Sequence, residues 1–185
     1  EATDNEYQVE FDYRCVHANN ISETAAEGGT IGSSFSNNYS LSFDGLDDYV
    51  DFGAVSEIPS ATALTISFWF NSGSLTTDRV VFGTNVDTSS HPWFSCELWG
   101  SANKFFLELR NDAGGSNVYC EFQNYRTLLS EDTWYHAVWV YNGSESTADD
   151  RVKLYIDSVA KTLTYSGTMP TALSSSIGNF WLGNG

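Results

Sequence analysis

Runs in which apolar and polar residues alternate recur from residue 39 to the end of the chain. The clearest is ALTISFWF at 63–70, where the large apolar residues fall on every second position. A period of two indicates a β-strand with one side facing a core, because successive side chains of a strand point to opposite faces. Further runs occupy 79–83, 93–99, 104–110, 118–122, 134–141, 151–157 and 179–183. No window keeps an amphipathic helical period for three turns.

Stretches rich in Gly, Asn, Asp and Ser separate these runs and favour turns. Many short strands at this spacing predict an all-β fold, a two-sheet antiparallel β-sandwich or jelly roll. The first 38 residues differ, because 7–13 has strand character while 17–38 is polar and rich in Gly and Ser. We therefore expect an extended N-terminal arm or linker with one possible strand over 1–38 and the sandwich over 39–185.

The charge balance restricts the possible partners. The chain has 24 acidic and 8 basic residues, a formal net charge of -16. Such a field repels nucleic acid and anionic membranes and attracts cations, so neither nucleic acid nor membrane is an expected partner. No run of 18 apolar residues occurs, so we expect no membrane insertion. The opening EATDNEYQ has neither an initiator Met nor a signal-peptide pattern, which favours a processed or excised segment.

Three cysteines, Cys15, Cys96 and Cys120, are too few for a disulfide scaffold. The alternatives are one bridge with one free thiol, or three reduced and buried cysteines. If the strand at 104–110 lies between the strands of Cys96 and Cys120, two strand spacings, roughly 9–10 Å, separate their sulfurs. No bridge can span that distance, whereas a bridge from Cys15 to either residue stays open.

Residues 40–53, SLSFDGLDDYVDFG, carry four aspartates within eight positions. One interpretation is a solvated hairpin, because Asp-Gly favours tight turns and Asp bonds its own backbone. The core-facing residues of that hairpin would be Leu41, Phe43, Val50 and Phe52. The other interpretation is a Ca²⁺ site, because Ca²⁺ takes six to eight oxygen ligands from carboxylates and carbonyls. The candidate metal ligands are Asp44, Asp47 and Asp48.

Several aromatic residues lie near predicted turns, where they could stack on the flat apolar faces of sugar rings beside polar hydrogen-bonding groups. The candidate carbohydrate-binding residues are Trp93, Trp99, Asn111, Asp112 and Tyr119. Trp69 and Trp139 lie inside strong strands and are predicted to be structural. His136 lies on the same side of its predicted strand as Val138 and Val140, and we expect that side to face the core.

Four segments occur in a characteristic order: YSLSFDGLDDYVDFG, LTISFWF, WYHAVWVYNG and KLYID. Together they resemble the laminin-G-like, concanavalin-A-like jelly roll, in the branch close to pentraxins and bacterial lectin-like modules. The resemblance covers roughly residues 39–185 and implies calcium at a rim of the sandwich. Relatives usually close with a further strand that is missing here. Residues 7–13 could supply it, a neighbouring chain could, or the chain is a fragment.

The resemblance also defines the function classes to be compared, because this fold hosts lectins, adhesion modules, glycanases and structural subunits. Glycanases of the superfamily carry Glu-x-Asp-x-x-Glu on one strand, and EFDYRC at 10–15 matches only Glu10 and Asp12. No GxSxG, HExxH or phosphate-binding loop occurs. The chain is therefore not expected to be an enzyme, and a glycanase is kept as a remote alternative.

The expected function is that of a non-catalytic, extracellular lectin-like adhesion module that binds a glycan or a surface protein, with Ca²⁺ ordering its loops. The alternative is a structural subunit of a virion surface, fibre or sheath, in which copies of the chain exchange the arm or a strand. The expected location is extracellular, at a cell surface or at a virion surface.

Overall fold

The structure, a computed structural model, describes residues 7–10, 40–84, 94–109, 118–175 and 177–183. Its strands are β1 (Tyr7–Glu10), β2 (Leu41–Phe43), β3 (Tyr49–Ala54), β4 (Ala63–Ser72), β5 (Arg79–Thr84), β6 (Phe94–Trp99), β7 (Lys104–Leu109), β8 (Val118–Gln123), β9 (Tyr135–Asn142), β10 (Val152–Ile156), β11 (Val159–Lys161), β12 (Thr164–Ser166) and β13 (Asn179–Gly183). The helical content of these residues is two single 3₁₀ turns, at Tyr125–Thr127 and Ala148–Asp150. The fold is all-β, as the period of two predicts.

Two antiparallel sheets form the sandwich. The six-stranded sheet has the order β11-β10-β9-β4-β1-β2, and the seven-stranded sheet has the order β12-β8-β7-β6-β5-β13-β3. Strand β1 lies between β2 and β4 and pairs with both. Residues 7–10 therefore form a strand of the sandwich. The rest of the predicted arm lies outside the described residues.

The core lies between the two sheets and is rich in aromatic rings. Phe82 of β5 is fully buried, and its ring centroid lies 5.6–5.7 Å from those of Phe68, Phe94 and Phe180. Phe105 of β7 packs edge-on against Trp139 of β9, with ring centroids 5.6 Å apart. These ring contacts join the two sheets, and they confirm Trp139 as a structural residue.

The two described cysteines agree with the spacing argument. Strand β7 lies between β6 and β8, and Leu107 pairs with Cys96 on one side and with Cys120 on the other. Both cysteines are free and fully buried. Burial raises the pKa of both thiols above the usual range, so each remains a neutral thiol in the core. Cys15 lies outside the described residues.

The predicted orientation of β9 is wrong. Ala137, Trp139 and Tyr141 are the buried residues of this strand, whereas His136 lies on its outer side with Val138 and Val140. Both parities of the strand are apolar, so the alternation alone could not decide which side faces the core. Trp69 lies on the outer side of the six-stranded sheet, where it pairs with His136 at a ring-centroid distance of 5.1 Å; it is 39% exposed, so the packed environment expected for it is only partly formed.

The hairpin interpretation of residues 40–53 is also wrong. Strand β2 belongs to the six-stranded sheet and β3 to the seven-stranded sheet, so the aspartate-rich turn crosses from one sheet to the other. Strand β2 pairs with β1 near the start of the sequence, and β3 pairs with β13 near its end, so β2 and β3 do not pair with each other. Phe43 is buried as expected, but Leu41 and Phe52 are 46% and 53% exposed, because each lies on an edge strand.

The described residues include no helix with the length and apolar character that a membrane crossing requires.

Candidate functional site

An aromatic row crosses the outer side of the seven-stranded sheet. On β7, Phe105 and Leu107 face the core, so Phe106 points outward. The ring of Phe106 contacts Trp99 of β6 and Tyr119 of β8 edge-on, with centroid distances of 4.9 Å and 5.6 Å. Trp99 is 38% exposed, whereas Phe106 is buried beneath its two neighbours. Two of the predicted carbohydrate-binding residues therefore share one face, which we call the aromatic face (Trp99, Phe106 and Tyr119).

A polar network borders the aromatic face. Lys104 Nζ donates to Glu121 Oε1 across β7 and β8 at 2.8 Å, the one ion pair found among the described residues. Gln123 Nε2 donates to Glu121 Oε2 at 3.2 Å and to Thr164 Oγ1 of β12 at 2.9 Å. These contacts hold the polar side chains in defined positions, so hydrogen-bonding groups lie beside the aromatic rings before any ligand binds.

Two further carboxylates lie on the same side of the sheet. Glu97 of β6 pairs with Phe106, and Glu108 of β7 pairs with both Ser95 and Tyr119. Ser95 Oγ donates to Glu97 Oε1 at 2.8 Å. Burial raises the pKa of Glu97; the Ser95 hydrogen bond opposes this shift, and the nearby Asp78 adds to it. Glu108 is itself 7% exposed, so this face of the sheet is partly desolvated.

The other predicted carbohydrate-binding residues, Trp93, Asn111 and Asp112, lie outside the described residues. Sequence reasoning missed Phe106, the central ring of the row. The signal was present in the Phe105-Phe106 pair, because two adjacent aromatic residues in a strand must point to opposite faces.

The predicted metal ligands come together in the loop between β2 and β3. One carboxylate oxygen from each of Asp44, Asp47 and Asp48 lies within 4.8 Å of the others, and all three residues are exposed. Asp44 Oδ1 accepts hydrogen bonds from the main-chain N–H groups of Leu46 at 2.8 Å and Asp47 at 3.4 Å. Asp48 Oδ2 accepts from Asp44 N at 3.1 Å. The backbone of the turn thus orients two of the three carboxylates.

This acidic loop (Asp44, Asp47 and Asp48) has dimensions that suit Ca²⁺. Ca²⁺–oxygen distances are about 2.3–2.6 Å, so oxygens on opposite sides of one ion lie roughly 4.6–5.2 Å apart. The three carboxylates meet this requirement, and the ion's remaining ligands would have to come from carbonyl oxygens or water. Hard carboxylate oxygens are also the donor type that Ca²⁺ prefers. The residues present therefore fit a calcium ion.

A second aromatic pair, also missed from the sequence, lies next to the acidic loop. Tyr49 directly follows Asp48 and is 53% exposed. Its ring packs edge-on against Trp181 of β13, with centroids 4.7 Å apart. The two residues are 132 positions apart in the chain (181 less 49), and only the pairing of β3 with β13 brings them together.

One contact on the six-stranded sheet has the form of a nucleophile and a base. Ser67 Oγ and His136 Nε2 are 2.7 Å apart on its exposed outer side. The nearby Asp157 carboxylate accepts from the main-chain N–H of His136 and not from its ring. A catalytic triad needs a group that orients the imidazole, and Asp157 does not serve that role.

The chain is thus a two-sheet antiparallel β-sandwich, with an aromatic row on the outer side of one sheet and an acidic loop where the chain crosses between the sheets. The Laminin_G_3 family, described as the concanavalin A-like lectin/glucanases superfamily, matches residues 43–185, which are 143 of the 185 residues. The chain belongs to this family. No curated protein matches the chain.

The chain also has distant likenesses among solved structures. The chain is similar to domains LG4-5 of the mouse laminin alpha1 chain, with 14% identity and a TM-score of 0.48, covering 71% of this chain and 32% of that one. It is similar to a heptameric SAP-like pentraxin from Limulus polyphemus, with 15% identity, a TM-score of 0.43 and coverages of 68% and 53%. It is also similar to the CBM40 of a Ruminococcus gnavus IT-sialidase bound to alpha2,6 sialyllactose, with 13% identity, a TM-score of 0.39 and coverages of 69% and 77%. The chain thus spans about a third of the laminin chain and about half of the pentraxin.

Proposed function

We propose that the chain is a non-catalytic, extracellular binding module that recognises a glycan through the aromatic face and orders its acidic loop with Ca²⁺. The observation that carries the proposal is the contact of Trp99 and Tyr119 with the same ring, that of Phe106. Sugar rings present apolar C–H faces that pack on aromatic side chains, and their hydroxyls need fixed polar partners. The network of Lys104 and Glu121 offers such partners beside the rings.

Trp93, Asn111 and Asp112 remain proposed contacts of the same binding function. Trp93 directly precedes β6, while Asn111 and Asp112 follow β7 after one residue, so they flank in sequence two of the three strands that carry the aromatic face. The contact between Ser67 and His136 supports the non-catalytic assignment. The Asp157 carboxylate bonds the main-chain N–H of His136, so it does not orient the imidazole ring for catalysis.

Replacing Trp99 with Ala should weaken glycan binding by about tenfold or more, because buried aromatic contacts dominate the energetics of such sites. Binding would be measured by isothermal titration with glycans selected from an array. Trp69→Ala is the matched control, because Trp69 is 39% exposed and Trp99 is 38% exposed, but Trp69 lies on the other sheet. Equal affinities for the wild type and Trp99→Ala, or an equal loss in both variants, would remove the aromatic face from the proposal.

Calcium should raise the melting temperature of the chelator-treated protein. At a Ca²⁺ concentration of ten times Kd, an ion that binds only the folded state adds about 1.4 kcal/mol, or roughly 3–5 °C for a domain of this size. The double variant Asp47→Asn with Asp48→Asn should lose the shift. Glu57→Gln with Asp149→Asn removes two exposed charges elsewhere and should keep it. A shift that persists without Asp47 and Asp48 would place the ion elsewhere, and no shift in the wild type would leave the acidic loop as a solvated turn.

A further inference from the structure

Strand β9 carries apolar residues on both of its sides. Ala137, Trp139 and Tyr141 face the core, while Val138 and Val140 lie on the outer side, where they are half-buried. An antiparallel strand with one side in water normally alternates between apolar and polar residues, whereas a strand covered on both sides is apolar throughout. The described strands all belong to the two sheets of the sandwich, so none of them packs on the outer side of β9. The pattern therefore indicates a surface that a partner covers.

The neighbouring strands extend this surface. Val138 pairs with Ser67 of β4 and with Tyr155 of β10. Further along the same side, the ring centroid of Trp69 lies 5.1 Å from that of His136. Ser67 Oγ lies 2.7 Å from His136 Nε2, and this contact holds the imidazole beside the indole. We call this surface the β9 face, and its members are Thr65, Trp69, His136, Val138, Val140 and Tyr155.

The β9 face lacks the negative charge that the rest of the chain carries. Strands β4, β9, β10 and β11 contain none of the 24 acidic residues, whereas four strands of the other sheet contain one each. Lys153, which pairs with Val140, is the one lysine or arginine on the outer side of these four strands. Acidic residues occur at the margin, where Glu10 of β1 pairs with Trp69 and where Asp157 follows β10. Few charges together with aromatic residues are typical of the centre of a protein interface.

The charge of the chain decides which partner fits the β9 face. An acidic partner is repelled by the net charge of -16, and a basic partner is attracted to the surfaces that carry the carboxylates. The partner must therefore be uncharged, apolar and flat where it touches the face. A second β9 face has this chemistry, and two identical faces can cover each other across a twofold axis. Sheets pack face to face in this manner about 10 Å apart.

The area of the β9 face sets the strength of such a contact. Strands β4, β9, β10 and β11 have 10, 8, 5 and 3 residues. Each residue occupies about 16 Å² of sheet, given a rise of about 3.4 Å and a strand spacing of about 4.8 Å, so the planar area is roughly 400 Å². Two copies together bury at least roughly 800 Å², which is below the about 1,600 Å² of a standard interface and typical of weak complexes.

We propose that the β9 face is a self-association surface, through which two copies of the chain form a weak, reversible dimer with their six-stranded sheets face to face. The aromatic face lies on the other sheet, so it stays on the outside of both copies. The dimer therefore presents two aromatic faces that point away from each other. Its formation does not depend on what those faces bind.

Sedimentation equilibrium of the full chain in chelator, from about 1 to about 200 μM, tests the proposal. We expect a monomer–dimer equilibrium with a dissociation constant in the micromolar range. Raising the salt concentration from about 50 to about 500 mM should strengthen the dimer severalfold, because it screens the repulsion between two chains of charge -16. A monomer at every concentration, or a dimer that weakens with salt as one held by ion pairs would, overturns the proposal.

A pair of charge variants locates the contact. Thr65→Glu should weaken the dimer by at least about tenfold, because it would bury an unpaired carboxylate beside Val140. Ser166→Glu adds the same charge at an exposed position of β12 in the other sheet and should leave the dimer intact. Equal weakening in both variants would assign the effect to the net charge of the chain and contradict the proposal.

A third variant removes apolar surface without adding charge. Tyr155→Ser should also weaken the dimer by at least about tenfold, because Tyr155 pairs with Val138 at the middle of the β9 face. This variant carries the test if thermal unfolding shows that Thr65→Glu does not fold. A dimer that keeps its wild-type affinity in Tyr155→Ser uses another surface, and the inference is then wrong.

Discussion

Replacing Phe82 with Ala is expected to lower the free energy of unfolding by about 3–5 kcal/mol. The side chain has no exposed surface and contacts three other rings: those of Phe68 on the opposite sheet and of Phe94 and Phe180 on its own sheet. Removing the ring costs its burial energy and leaves a cavity that three neighbouring rings cannot fill without moving. A domain is usually stable by only 5–15 kcal/mol, so the loss takes a large part of the total.

Chemical denaturation with urea would measure this effect, with the slope of the transition checked for two-state behaviour. Phe52→Ala is the control, because Phe52 is 53% exposed and contacts one ring, that of Phe180, at 6.0 Å. We expect this control to cost about 1 kcal/mol or less. Equal losses in the two variants would contradict the placement of Phe82 at the centre of the core.

Replacing Gly143 with Ala is expected to cost at least about 3 kcal/mol, a large value for one methyl group. A Cβ atom at this position would come within 1.9 Å of the Thr171 carbonyl oxygen and 2.5 Å of its carbon. The main chain cannot easily retreat, because Gly143 N donates to Thr62 O at 2.7 Å. The segment of Thr171 is also held, since Tyr141 Oη donates to Pro170 O at 3.0 Å. The clash is therefore between two fixed backbones.

Gly53→Ala separates this clash from the general cost of replacing a glycine. Gly53 has a φ of +69°, and a Cβ there would meet no atom within 4 Å. Its substitution should cost only the strain of the left-handed conformation, about 1–2 kcal/mol. Thermal unfolding of both variants would check the difference. A Gly143→Ala protein as stable as Gly53→Ala would show that the approach of residues 143 and 171 is looser than described.

The strand β7 shows how far the sequence could lead. In the sequence, the alternation of residues 104–110 puts Phe105, Leu107 and Leu109 on one side of the strand, which indicates that they face the core, and each is at most 1% exposed. The same rule required Phe106 to point away from the core, but it gave no reason to expect that Phe106 would be covered. That burial comes from Trp99 and Tyr119, which reach it only because β6, β7 and β8 are paired in this register. Register between strands is a tertiary property and is not encoded in a local window.

In the acidic loop, the sequence predicted the local turn but not the strands that the turn connects. Its local chemistry was readable, since Asp44 bonds the backbone two and three residues on, and Gly45 adopts a φ of +73°. These features fix a turn, but they do not fix which strands the turn connects. Strand β2 pairs with β1 in one sheet and β3 pairs with β13 in the other, so the turn connects two sheets instead of closing the expected hairpin.

The sequence by itself determined that the chain is a two-sheet β-sandwich and where most of its strands lie. It could do so because the period of two is a local consequence of strand geometry. The tertiary structure alone decided which side of β9 faces the core, which sheet holds β2 and β3, and which side chains meet on the aromatic face. Those outcomes depend on pairing between strands far apart in the chain, where the free energy comes from burying surfaces that no single segment contains.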